Sequence, residues 1–169
     1  MSPSREDLLT RLRAESRRYV ASYVLFNQAI ADHLGLHPTD VQCLNLLSLE
    51  PGPVSTGQIA ELTGLTSGSA TRLVDRLVKA GYVSRVRDDQ DRRKVLVHLV
   101  PAAMAGFGEL WRDLSTGWEE LFTGDSEAEL ALLIRHMRRT TELSHRQIAY
   151  LAERPRPAPP VPPAPAPPA

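Results

Sequence analysis

The sequence has little of several features that mark particular protein classes. A single cysteine among 169 residues excludes an internal disulfide and a zinc site built from several cysteines. No apolar run approaches the roughly 18 residues of a membrane span, and the N-terminal segment lacks a signal-peptide hydrophobic core. A formal net charge of +0, from 20 basic and 20 acidic side chains, argues against a histone-like protein. These absences predict a soluble cytoplasmic protein with no membrane partner, built as one domain with or without an appendage.

Charge is distributed unevenly along the chain. Residues 51–100 hold 8 basic and 5 acidic side chains, whereas residues 1–50 and 101–154 are both net acidic. A local basic excess is what a phosphate-contacting surface needs, because charges that face nucleic acid release its counterions. A solvated basic face would look the same, so charge alone leaves both interpretations open.

The first third of the chain predicts one long amphipathic helix. Apolar residues recur at three- or four-residue spacing between Leu8 and Leu34, and Gly35 and Pro38 end the helix. The stripe comprises Leu8, Leu12, Tyr19, Tyr23, Phe26 and Ile30. At about 1.5 Å per residue the helix is roughly 40 Å long, too long for the core of so small a domain alone.

Two capping signals predict further helices. Residues 39–42 (TDVQ) form the first, and residues 55–58 (STGQ), after a PGP break, form the second, whose helix extends to about Thr63. The inward residues are predicted to be Val41, Leu44 and Leu47 in the first of these helices and Ile59 and Leu62 in the second.

A glycine-containing turn leads into a fourth helix. Gly64 supplies a left-handed or tight backbone, and Thr66 or Ser67 caps the helix that follows. That helix extends to about Ala80, where Gly81 is placed to stop it. Two short helices joined by such a turn form a helix-turn-helix.

The fourth helix separates into an apolar and a polar arc. The apolar arc comprises Ala70, Leu73, Val74 and Leu77, and the polar arc comprises Gly68, Thr71, Arg72, Asp75, Arg76 and Lys79. Small polar residues allow close approach to base edges, and arginine can donate two hydrogen bonds to one guanine. The residues predicted to contact the major groove of DNA are Ser67, Ser69, Thr71, Arg72 and Arg76. Because a surface helix of any protein can carry arginines, this face alone supports DNA binding only weakly.

A polar segment between two β-branched runs predicts a hairpin, or wing. The strands are expected over residues 82–87 and 94–100. The tip carries Arg92, Arg93 and Lys94. Arginine at a narrow tip can enter the minor groove, where the negative potential is strongest. Asp91 either orients one of these arginines by a charge-assisted hydrogen bond or merely neutralises a solvated tip.

This core resembles the winged helix-turn-helix of the MarR family of bacterial transcription regulators. The resemblance covers roughly residues 5–151 and is most specific in TRLVDRLVKAGYVSR at 71–85 and in the D-x-R of the wing at 91–93. It implies that Arg93 reaches the minor groove while Asp91 braces it. One departure is Leu99-Val100-Pro101, where the family usually has leucine-threonine-proline, which changes the cap of the next helix.

Long helices flank the core on both sides. Residues 101–122 carry apolar side chains at helical spacing, and SEAE at 126–129 caps another amphipathic helix that extends to about Leu151. With the N-terminal helix they hold more apolar surface than a small winged domain can cover, so packing against a second copy is expected. A single compact monomeric bundle is the alternative.

The fold class expected is therefore mostly α with a small β-hairpin. Residues 38–100 form the winged helix-turn-helix, residues 5–37 and 101–151 form dimerisation helices, and residues 152–169 form a disordered Pro/Ala-rich tail. The resemblance implies the same pairing through the terminal helices. A two-fold dimer presents two recognition helices about one turn of DNA apart, which predicts a pseudo-palindromic double-stranded operator.

The resemblance also implies repression that a small molecule relieves. The pocket would lie between the dimerisation helices and the winged domain, and a small aromatic effector would have to prefer the arrangement that does not bind DNA. The residues proposed to line it are Tyr23, His33, Leu36, Leu47 and Trp111, each of which could equally be ordinary core.

Other classes find less support. There is no glycine-rich phosphate loop, nucleophile elbow or HExxH motif, so neither an enzyme nor a cofactor is expected. Neither His33 with His37 nor His136 with His145 is placed to form a metal pair, because the helix breaks between the first two and the second two lie on opposite faces. Cys43 is expected to be buried and not redox-active. A winged-helix protein-interaction module without DNA binding is the second hypothesis.

Overall fold

The structure is a computed structural model that describes residues 3–87, 91 and 95–155, apart from the side chains of Ser115 and Thr116. The described residues form two compact units, which divide between Asp113 and Leu114. The first unit contains helices α1 (Arg5–Leu34), α2 (Pro38–Leu47), α3 (Thr56–Thr63) and α4 (Ser67–Lys79), strands β1 (Val54–Ser55), β2 (Val83–Arg87) and β3 (Val95–Leu99), and the start of α5 (Pro101–Leu121). The second contains the end of α5 and α6 (Glu127–Ala152). This element order confirms the predicted fold class.

Three of the four predicted helix caps are present, at the starts of α3, α4 and α6. Ser55 accepts a hydrogen bond from the Gln58 N–H at 3.2 Å, and the Gln58 side chain accepts one from the Ser55 N–H at 2.8 Å. In α6 the reciprocal bonds join Ser126 and Glu129. The Ser126 hydroxyl and N–H both donate to Glu129 Oε2, and these two bonds lower the pKa of the Glu129 carboxyl.

The start of α2 differs from the prediction. The capping residue is His37, whose Nδ1 accepts from the Thr39 N–H at 3.3 Å, and Pro38 occupies the first helical position. The Asp40 carboxylate completes the box by accepting from the His37 N–H at 3.3 Å. The cap therefore lies two residues before the predicted one at Thr39. Pro38 suits the first helical position because it has no N–H that needs a partner and its fixed φ matches the first turn.

The sheet has a third strand that the sequence did not reveal. The order is β1-β3-β2, with all pairs antiparallel, so β3 is the middle strand. Val97 of β3 pairs with Val54 on one side and with Arg85 on the other. The hairpin of β2 and β3 is the predicted wing, and β1 joins it to the segment that precedes α3.

One hydrophobic core occupies the first unit. Its buried residues come from every element of that unit: Ile30, Ala31, Val41, Cys43, Leu44, Leu47, Val54, Ile59, Ala70, Leu73, Val74, Leu77, Val83, Val97 and Phe107. The inward positions predicted in α2 and α4 are all confirmed. Leu62 of α3 is an error of prediction, because it is exposed while Ile59 is fully buried. A helix of eight residues has only a narrow buried face, which Ile59 already occupies.

Apolar side chains also line surfaces that the chain leaves open. Along α1, Leu8, Leu12, Tyr19 and Tyr23 are all about half exposed, and burial begins at Ile30. In the second unit α6 has no buried residue, although Leu133, Ile134, Met137, Leu143 and Ile148 recur along it. Each unit therefore carries an apolar stripe that its own described residues leave uncovered.

Candidate nucleic-acid interface

Helix α4 presents the two faces that its sequence predicted. Ala70, Leu73, Val74 and Leu77 are completely buried and hold the helix in the core. Ser69 is half-buried, and the exposed residues are Ser67, Gly68, Thr71, Arg72, Asp75, Arg76, Val78 and Lys79, of which only Val78 is a large apolar residue. Of the predicted contacts on this helix, all but Ser69 thus lie on its solvent-exposed side.

The turn before α4 has the geometry that the sequence indicated. Gly64 has φ +68°, in the left-handed region that favours glycine. Thr66 is the capping residue, since its Oγ1 accepts from the Ser69 N–H at 3.3 Å. These residues set the direction in which α4 leaves the turn, and Gly81 (φ +81°) turns the chain into β2.

The polar side chains at the start of α4 are partly engaged within the helix. Thr71 Oγ1 donates to the Ser67 carbonyl at 2.9 Å, which leaves its oxygen lone pairs and its methyl group available to a ligand. Arg72 Nη2 donates to Ser69 Oγ at 3.1 Å, so this guanidinium lies back toward the helix start. One exposed hydrogen bond is easily exchanged, so the Arg72 guanidinium can leave Ser69 for another acceptor.

Arg76 has a stronger partner, which no sequence pattern indicated. Its Nε donates to Asp40 Oδ2 at 3.0 Å and its Nη2 donates to Asp40 Oδ1 at 2.5 Å. The Asp40 side chain is 2% exposed, whereas that of Arg76 is 48% exposed. These hydrogen bonds raise the pKa of Arg76 above its ordinary value. The pair joins α2 to the exposed face of α4.

A second ion pair joins α4 to the wing. Arg85 Nη1 of β2 lies 2.6 Å from Asp75 Oδ1 of α4. The base of the wing therefore lies beside the polar face of α4, and Arg87 at the end of β2 is exposed. Lys79, Arg85 and Arg87 add positive charge to a surface for which the sequence had singled out only Arg72 and Arg76 within the described residues.

The tip of the wing is mostly outside the described residues. The predicted contacts Arg92, Arg93 and Lys94 all lie there. Asp91 is described, half-buried, and engaged with a partner. Its predicted bracing of Arg93 stays a prediction.

The proposed effector residues occupy different environments. Leu47 is buried, Leu36 and Trp111 are half-buried against the core, and Tyr23 and His33 are exposed. Trp111 stacks on Phe107 with ring centroids 5.9 Å apart and lies 6.2 Å from Phe26 of α1. A surface pocket of about 230 Å³ lies elsewhere, between the loop at 50–53 and β3, and has Leu47 in its wall.

Cys43 is fully inside the core. It is 1% exposed, and burial, with a smaller contribution from the charge of Asp40, raises the pKa of its thiol to about 12. The thiol is therefore protonated throughout the physiological range, which agrees with the prediction of a small buried residue. Among the residues that the structure describes, no three His, Cys, Asp or Glu side chains are grouped so as to hold a metal ion.

Within residues 3–87, 91 and 95–155, no helix combines the length and the hydropathy that crossing a lipid bilayer requires.

Comparisons with known proteins agree on one family. Residues 34–94 match the model of the MarR family. An uncharacterized HTH-type transcriptional regulator of Bacillus subtilis (strain 168), YcgE, is 38% identical over 130 residues, which cover 77% of this chain and 84% of the relative. The HTH-type transcriptional regulator MhqR of the same organism is 27% identical over 124 residues, or 73% of this chain and 84% of the relative.

Solved structures show the same fold. A MarR family protein from Bacillus stearothermophilus superposes with a TM-score of 0.64 at 22% identity, covering 85% of this chain and 99% of that one. A MarR family transcriptional regulator from Silicibacter pomeroyi DSS gives a TM-score of 0.64 at 25% identity, covering 83% and 94%. The family match, the relatives and the winged helix-turn-helix fold agree. The chain therefore belongs to the MarR family of helix-turn-helix transcriptional regulators.

Proposed function

We propose that this protein is a dimeric regulator that binds double-stranded DNA and reads the major groove with α4. The observation that carries the proposal is the exposed face of α4. This face carries Arg72 and Arg76, and the Asp75–Arg85 ion pair joins it to the wing. A helix that is apolar underneath and polar outward, with small residues at its start, suits the major groove.

Each side chain has a definite role in this proposal. Ser67, Ser69 and Thr71 approach base edges or phosphates at the start of α4, where they leave room for close contact. The wing residues Arg92, Arg93 and Lys94 would enter the minor groove, with Asp91 orienting Arg93.

The uncovered apolar stripes support a homodimer. Half-exposed Leu12, Tyr19 and Tyr23 on α1 and the unburied α6 are surfaces that a second copy would cover. A two-fold dimer would place two α4 helices about one turn of DNA apart and would select a pseudo-palindromic operator. Such a regulator acts where the chromosome is, which in a bacterium is the cytoplasm.

Regulation by a small molecule is the finer part of the proposal. The aromatic rings of Phe26 and Trp111 connect α1 to the middle of α5, and Leu36 and Trp111 both pack against the core. A small aromatic compound that inserts near Tyr23, His33, Leu36, Leu47 and Trp111 would release a repressor if it binds more tightly to the form that does not bind DNA. No catalytic step and no cofactor is part of this function.

A protein-interaction module without DNA binding is the competing function. It would not need positive charge on the exposed face of α4, and both positions 72 and 76 are arginine. The DNA-binding function therefore accounts for more of the residues present.

A mobility-shift titration on the promoter region of the protein's own gene, run over a salt series, tests the proposal. We expect a specific shift, and a shallower salt dependence for Arg72→Ala and for Arg93→Ala, by roughly one unit of slope for each phosphate that the variant no longer neutralises. Arg18→Ala is the matched control, because it removes an exposed arginine that lies on α1 and pairs with Glu15. An unchanged affinity in both test variants would contradict the proposal.

A further inference from the structure

The ion pair between α2 and α4 joins a buried anion to a cation at the surface. The side chain of Asp40 is 2% exposed and that of Arg76 is 48% exposed. Asp40 is also held by its own helix, because its Oδ2 accepts from the His37 N–H at 3.3 Å in the first turn of α2. The Asp40 carboxylate is therefore held in one orientation, and the Arg76 guanidinium is the part of the pair that a ligand can reach.

The contact uses one edge of the guanidinium. Nε and Nη2 of Arg76 each donate to a different oxygen of Asp40, at 3.0 and 2.5 Å. A guanidinium has five N–H donors, so this arrangement leaves the adjoining Nη1–Nη2 edge with donors for another acceptor. That edge has the spacing to donate two parallel hydrogen bonds to one guanine or to a phosphate.

We propose that Asp40 is a positioning residue for DNA recognition, which orients Arg76 so that its Nη1–Nη2 edge meets the duplex already aligned. The inference rests on the proposed function, since it assigns a task within the same interface. An arginine side chain loses rotamer freedom when it binds, and a side chain fixed beforehand loses less. Arg76 then contributes to the choice of base sequence and not merely to attraction for DNA.

The direction in which one substitution changes the affinity for DNA distinguishes positioning of Arg76 from a general effect of charge. Asp40→Asn removes a negative charge close to the proposed interface, which by charge alone would tighten binding to any DNA. If Asp40 orients Arg76, the same substitution weakens binding to the operator instead. Asparagine is close in size and keeps one oxygen that can accept from the His37 N–H, so the start of α2 is disturbed little.

The experiment compares affinity for the operator with affinity for a scrambled duplex of the same length. We expect Asp40→Asn to lower this ratio by about tenfold, within the range of one bidentate base contact. Glu61→Gln, at an exposed position of α3, is the matched control, because it removes one negative charge that forms no ion pair with an arginine among the described residues. In the Arg76→Ala background Asp40→Asn should cause no further decrease of the ratio, because its effect passes through Arg76.

Arg76→Lys provides a second test in case Asp40→Asn folds poorly. Lysine keeps the charge beside Asp40 but cannot hold that carboxylate and a base edge at once, so the ratio should fall while the melting temperature changes little. A preference for the operator that either folded variant retains in full overturns the inference alone. A wild-type protein with no such preference overturns the proposed function, and this inference with it.

Discussion

Asp75 of the recognition helix and Arg85 of the wing form an ion pair, with Oδ1 and Nη1 2.6 Å apart. Both side chains are partly exposed, at 55% and 34%. Solvent and salt weaken such pairs, so this one orients the wing more than it stabilises the fold.

We therefore expect Asp75→Asn to lower the free energy of unfolding by less than about 1 kcal/mol. The difference from wild type should shrink as salt is added, because the interaction is screened. Urea unfolding at low and high salt measures it. A destabilisation that stays large at high salt would show that the pair does more than orient the wing.

Arg76→Ala should have a larger effect on stability. Among the described residues it leaves the buried carboxylate of Asp40 with the His37 N–H as a hydrogen-bond donor, and an unsatisfied buried polar group costs about 1–3 kcal/mol. Arg72→Ala is the matched control on the same helix and should stay within roughly 0.5 kcal/mol of wild type. Equal unfolding free energies for the two variants would contradict this expectation.

Thr66→Ala should destabilise the start of α4. The variant removes the oxygen that accepts from the Ser69 N–H, and such a change at a helix cap costs about 1 kcal/mol. Thr66→Ser keeps that oxygen and should behave as wild type. Urea unfolding gives the energy, and hydrogen exchange at the first turn of α4 should rise in the alanine variant alone.

The Cys43 thiol should be unreactive in the folded protein, and its ionisation should lower the free energy of unfolding at alkaline pH. Its pKa is raised in the folded state, to about 12 from an ordinary value of 9.0. The unfolded chain thus loses the thiol proton first, and the free energy of unfolding falls as pH rises from about 9 toward 12. Cys43→Ala should show a less steep fall over that range. A native thiol that reacts rapidly with a thiol reagent at neutral pH would contradict the burial.

Dimerisation should depend on the half-exposed stripe of α1. We expect wild type to sediment near twice 18.7 kDa, and Leu12→Lys to shift the equilibrium toward monomer because it places a charge in an apolar contact. Arg13→Ala, an exposed neighbour, is the control. A wild-type protein that sediments as a monomer at micromolar concentration would count against the proposed assembly.

The sequence predicted those helices and strands that are marked by capping residues, glycines or apolar spacing within the segment itself. Helix α4 was bounded to within one residue, since Thr66, Gly81 and a clear apolar arc all mark it. The cap of α2 was predicted two residues too late, at Thr39 instead of His37, because histidine is an uncommon cap and threonine a more familiar one. Pro38 at the first helical position was the signal that could have corrected it.

Contacts between distant positions were not predictable in the same way. Strand β1 has two residues, too few for an alternating pattern, and it exists because Val54 pairs with β3. Asp40 and Arg76 are 36 positions apart, and nothing in either segment indicates the other. For that reason the sequence identified Arg76 as a candidate contact but could not identify the residue that orients it.

The central place of β3 in the sheet has a mechanical consequence. Hydrogen bonds hold this strand along both edges at Val97, so the base of the wing cannot tilt without displacing Val54 and the peptide that leads into α3. If the proposed function holds, the wing and α4 would thus contact the duplex as one rigid unit. A change in affinity for the operator would then come from a change in the distance between the two winged domains of the dimer, not from bending within one of them.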